Sequence, residues 1–188
     1  TAGTVGLAVS QTTTDNLTTN ENVGAINLGV GHNVIQPNGS GGTARVGQLQ
    51  ADNLTRGTNH ATALIRGTAL GATSGSRGQM LLDSDIVVAP IGANLIGVGG
   101  QVAGSQTISI YPYLIGDNTG TSGLGNSFIT DDSTATATPR ANLRPLNLTT
   151  EYTLDEAGYN GLSGVTSNNV RFAANPTAAL TGGSKTIN

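Results

Sequence analysis

Short apolar runs, separated by glycine, asparagine, serine and threonine, fill the segment 22–70. Almost no charged residue stands between them. Runs of this length, bounded by turn-forming residues, are typical of short β-strands. The runs lie at 23–28, 33–35, 44–46 and 63–65. The segment therefore predicts short strands that stack on one another, and the clean alternation at 107–110, with its return at 169–173, predicts further strands.

The composition favours strands over helices. Only 10% of the 188 residues are charged, against about 25% in an ordinary soluble domain. The surface must therefore consist largely of Thr, Ser, Asn, Gln and the 28 glycines. Because Lys, Glu and Leu are scarce while Thr, Val and Ile are common, we expect one all-β domain over 1–188. Thr1 in place of methionine and a strand-like ending at Asn188 favour a processed protein or a piece of a longer chain.

The spacing of the apolar runs suggests how the strands are arranged. Their centres near Ile26, Val46 and Leu64 are 20 and 18 residues apart. A period near 20 is what a β-solenoid needs for one turn of short strands and corners. The alternative is a β-sandwich of jelly-roll type, with antiparallel pairing and an accidental period.

Charge and residue types exclude several functions. The formal net charge is −3 and the pI is near 5.1, so no basic face is available for nucleic acid. The chain has no Cys, and therefore no disulfide or thiolate site. No apolar run approaches the roughly 18 residues of a spanning helix, so we expect no membrane insertion.

Two carboxylate pairs are the candidates for chemistry. Asp83 with Asp85 and Asp131 with Asp132 would suit glycoside hydrolysis, which needs two carboxylates that flank the scissile bond. They would also suit a structural Ca²⁺, which prefers several oxygen ligands. The plainer interpretation is a turn cap and a solvated strand face. We therefore predict no catalytic or cofactor-binding residues and leave the metal open.

His32 and His60 stand alone in glycine- and asparagine-rich surroundings, with no Cys or third His to complete a zinc site. We interpret both as loop residues.

Aromatic residues suggest a place where a partner docks. Tyr111 and Tyr113 flank Pro112 directly after the alternating segment 107–110. Because proline cannot donate a hydrogen bond to a ladder, this strand is predicted to end there or to lie at an edge. The two tyrosines would then face a partner, a glycan included, or fill the core.

Several segments together carry a resemblance to a known family. They resemble the repeat regions of large bacterial surface proteins with autotransporter-associated β-strand repeats, and 143–146 (Leu-Arg-Pro-Leu) is the most distinctive match. The resemblance implies a right-handed parallel β-helix, an extracellular or cell-surface location, and no catalytic residues to transfer. The other matching segments are 23–28, 33–35, 53–57, 64–68, 70–71, 107–112, 142–146, 151–152, 169–170 and 186–188.

The leading hypothesis for function is a non-enzymatic extracellular structural or adhesive module that associates with itself into a surface filament, sheath or layer. A second hypothesis is a tailspike-like β-helix protein that processes polysaccharide or binds glycans through the carboxylates named above. A third is a viral coat protein with a sandwich fold.

Overall fold

A single mixed sheet of nine strands dominates the computed structural model, which describes residues 6–56, 60–82, 95–97, 99–132, 141–161 and 168–172. Two smaller two-stranded sheets and one short helix complete the described elements. The strands are β1 (Gly6–Gln11), β2 (Thr18–Val23), β3 (Ile26–Leu28), β4 (His32–Gly39), β5 (Val46–Ala51), β6 (Leu54–Arg56), β7 (Thr62–Arg66), β8 (Arg77–Leu82), β9 (Tyr111–Asp117), β10 (Ser127–Asp131), β11 (Ala141–Pro145), β12 (Thr153–Leu154) and β13 (Val170–Arg171), and the helix is α1 (Asp155–Gly161).

The large sheet consists of two parallel stacks joined by an antiparallel connection. Its order is β1-β4-β7-β9-β10-β11-β8-β5-β2. Strands β1, β4, β7 and β9 are parallel to one another, as are β2, β5 and β8. Strands β10 and β11 run antiparallel to their neighbours and link β9 to β8. The separate sheets are β3-β6 and β12-β13, both parallel.

The nine-stranded sheet curves until its two ends meet, which makes it nearly closed and barrel-like. Strands β1 and β2 lie beside each other, and Gln11 Nε2 donates to Thr19 Oγ1 at 3.1 Å between them. Strand β4 lies opposite β5 and β8. Partly buried and buried residues alternate along β8, which shows how the strand turns one face inward, since Met80 and Leu82 are fully buried.

The core fills the space between the two stacks. Burial of one large apolar side chain stabilises the fold by about 1.5–3 kcal/mol. The core includes Ile35, Leu49, Ile65, Met80, Leu114, Ile129 and Leu143. A smaller cluster of Ile108, Ile110, Leu146 and Tyr152 lies beside it.

The prediction of a right-handed parallel β-helix is wrong, although the all-β class is confirmed. The antiparallel strands β10 and β11 close the sheet, which a parallel β-helix does not do. The proposed period is wrong as well, because paired strands such as β2 and β5 are offset by 28 residues. Ile26, Val46 and Leu64 lie in three non-equivalent strands, β3, β5 and β7. A sandwich is closer to the observed fold, with mixed rather than antiparallel pairing.

No helix among the described residues has the length and apolarity that crossing a membrane requires.

Candidate functional site

Strands β1, β2 and β3 form what we call the open end of the molecule. In the described part of the chain, each of them pairs on one side only, with β4, β5 and β6 respectively. The stretch 6–28 therefore lies alongside the stretch 32–56, and each of its strands keeps one edge unpaired among the described residues. Backbone N–H and C=O groups at such edges are templates for another strand.

The unpaired groups can be assigned by residue. Gln11 O accepts a hydrogen bond from the backbone N–H of Ser40 at 3.1 Å, on the β4 side. Because successive residues of a strand direct their N–H and C=O groups to opposite sides, Leu7 and Val9 also face β4. Ala8 and Ser10 consequently present their backbone groups at the unpaired edge of β1.

The same reasoning applies to β2. Leu17 O accepts from the backbone N–H of Val46 at 3.0 Å, so the residue before β2 directs its carbonyl toward β5. Thr19 and Glu21 follow in the same direction. Asn20 and Asn22 therefore present their backbone groups at the unpaired edge.

The edge strands carry almost none of the features that usually protect an edge. Proteins commonly blunt exposed edges with charged side chains, with proline or with bulges. Strands β1 (GLAVSQ) and β3 (INL) contain no charge and no proline, and β2 (TTNENV) has only Glu21 as a charge. The open end therefore keeps its capacity to pair.

An apolar pocket of about 520 Å³ lies at the open end, between β1, β3 and β4. Leu7 and Ile26 are partly buried and pack against the core from this side, and Val30 remains 48% exposed. Among the described residues, the pocket marks a place where the core is left uncovered. Its apolar lining is Leu7, Ile26, Leu28, Val30, Val34 and Ile35.

Side-chain hydrogen bonds between paired strands hold the open end in register. Gln48 Nε2 donates to Asn20 Oδ1 at 3.0 Å, from β5 to β2. Thr55 Oγ1 donates to Asn27 Oδ1 between β6 and β3. Asn20 Nδ2 in turn donates to Asn22 Oδ1 at 3.2 Å. These bonds fix the positions of the edge strands and so predefine the site.

The predicted docking edge at Tyr111, Pro112 and Tyr113 is not an edge. Strand β9 lies between β7 and β10, and Tyr111 and Tyr113 are only 2% and 3% exposed, while Pro112 is exposed. The proline is tolerated because the pairing of β9 with β10 shifts there: Ile115 faces Phe128, whereas Tyr111 faces Ile129. Such an irregularity removes the need for a proline N–H in the ladder.

The two tyrosines instead form a buried group with Asp131. The Tyr111 hydroxyl donates to Asp131 Oδ2 at 2.8 Å, and the Tyr111 and Tyr113 rings meet edge to face at 6.3 Å. Arg56 lies over the Tyr113 ring, 5.1 Å from its centroid. Burial, and then the charge of Asp131, raise the pKa of Tyr111 far above its usual range, and burial raises the pKa of Tyr113 to about 12. Both hydroxyls therefore keep their protons at neutral pH.

Of the four predicted carboxylates, the structure describes Asp131 and Asp132. Asp83 and Asp85 lie outside the described residues. Asp131 is buried in β10, and the neighbouring Asp132, whose N–H donates to Asn142 O at 2.9 Å, is partly exposed. Asp131 is 3% exposed and accepts from the Tyr111 hydroxyl, so it is not open to a substrate as the flanking carboxylates of hydrolysis must be.

Neither histidine belongs to a metal site in the described ranges, where no group of three or more His, Cys, Asp or Glu residues is placed to hold an ion. His32 Nδ1 lies 3.1 Å from Thr62 Oγ1. His60 Nδ1 lies 3.1 Å from Arg56 Nη2 and accepts from it, since the guanidinium can only donate. The structural calcium stays a prediction without a located site.

A buried ion pair that the sequence reasoning missed links β11 to two loops. Arg144 holds both carboxylate oxygens of Glu151 at 2.8 Å, and Glu151 also accepts from the backbone N–H groups of Gly104 at 2.8 Å and Asn147 at 2.6 Å. Glu151 is 1% exposed. Burial raises its pKa, but these hydrogen bonds and the charge of Arg144 outweigh burial, so the pKa of Glu151 is lowered overall. Because Arg144 and the two backbone N–H groups already occupy both carboxylate oxygens of Glu151, we interpret this ion pair as structural.

Sequence reasoning expected unpaired strands at the ends of a solenoid but did not place them at 6–28, where the local signal is the lack of lysine and proline in three short strands. Comparison of the chain with protein-family models, with curated proteins and with solved structures finds no match.

Proposed function

We propose that the chain is a non-enzymatic structural or adhesive module of a cell surface, and that it associates with itself through the strands of the open end. Larger assemblies, such as a filament, sheath or layer, would be built from units joined in this way. The observation that carries the proposal is that, within the described residues, β1, β2 and β3 each keep one edge that is unpaired and almost uncharged.

Pairing at these edges is favourable for two physical reasons. Backbone groups of an added strand satisfy the unpaired N–H and C=O groups, which is the mode known as strand addition. The partly buried Leu7 and Ile26 would be removed from water at the same time. Full burial of such a side chain contributes about 1.5–3 kcal/mol.

The location of the module is proposed on composition and resemblance. A surface of Thr, Asn, Ser and Gly with few charges, and the resemblance of the short strand segments to bacterial surface-protein repeats, favour an extracellular setting.

The proposal is tested by following the mass of the purified chain across a concentration series by light scattering, with electron microscopy of the most concentrated samples. We expect the mass to rise reversibly with concentration and ordered assemblies to form. A monomeric mass at every concentration, together with the absence of the chain from the surface of intact cells in immunolabelling, would refute the proposal.

A further inference from the structure

We draw no further inference here: the strongest candidate, the pocket of about 370 Å³ between the start of β10 and β13 that Phe128, Arg171 and Phe172 line, carries none, because nothing in the described part of the structure shows what covers it.

Discussion

Arg144 and Glu151 form a two-point ion pair at 2.8 Å in which the carboxylate is almost fully buried and the arginine is mostly so. Glu151 gathers β11, the loop at Asn147 and the loop at Gly104 around one side chain. The buried carboxylate of Glu151 therefore ties together three separate parts of the chain.

Glu151→Gln is expected to lower the free energy of unfolding by about 3 kcal/mol, because Arg144 then stays partly buried without its counter-charge. Chemical denaturation at neutral pH measures the change. Glu21→Gln, on the exposed face of β2, serves as the control and is expected to change stability by less than about 0.5 kcal/mol. An equal loss in both variants would contradict the structural role of the ion pair.

The same carboxylate predicts how stability responds to acid. Because the pKa of Glu151 is lower in the folded chain than in the unfolded one, its contribution is present above about pH 4 and is lost as pH falls through the folded pKa. Melting temperatures measured between neutral pH and pH 3 should therefore fall more steeply for the wild type than for Glu151→Gln. Parallel curves would show that Glu151 does not contribute this dependence.

Close packing of backbones predicts a strong effect at Gly78. A Cβ atom at this position would overlap the carbonyl oxygen of Pro37, where the end of β4 crosses the start of β8. Gly78→Ala is expected to cost about 1–3 kcal/mol or more, since a backbone atom cannot move aside as a side chain can. Gly161→Ala is the control, because a Cβ there meets nothing within 4 Å. Thermal unfolding of both variants checks the prediction, and equal melting temperatures would contradict it.

The buried tyrosines predict a loss of stability in alkali. A raised folded-state pKa means that the unfolded chain releases the proton first, so stability is full below about pH 10 and declines as pH rises above it. Tyr111→Phe should show a shallower decline, because it removes one of the two hydroxyls whose pKa burial raises. At neutral pH the same variant should lose about 1–3 kcal/mol, since Asp131 loses a buried donor. Melting curves from pH 7 to alkaline pH test both statements.

Local patterns in the sequence predicted where strands lie better than they predicted which strands pair with each other. The runs at 33–35 and 63–65 lie in β4 and β7, and the segment 169–173 contains β13. Ile108 and Ile110 are both buried, as their alternation predicts, but in the described residues this segment forms an isolated bridge between Ile110 and Ile96 rather than a full strand.

Pairing could not be read from the same patterns, for a physical reason. Many short runs rich in Gly, Asn and Thr are interchangeable as ladder neighbours, so Ile26 could be matched with Val46 although it pairs with Leu54. The antiparallel strands β10 and β11 carry no local signal that distinguishes them from parallel ones. The open end is defined by the strand edges that remain unpaired, so it could not be located before the strand pairing was known.

Hydrogen exchange of the backbone amides in β1 and β2, measured at low and at high protein concentration, tests the central claim most directly. We predict that the amides of Ala8, Ser10, Asn20 and Asn22 exchange quickly in the dilute chain and become protected as concentration rises. The amides that already face β4 and β5 should be protected at both concentrations. Exchange at Ala8, Ser10, Asn20 and Asn22 that stays fast while the mass of the particle grows would contradict association through the open end.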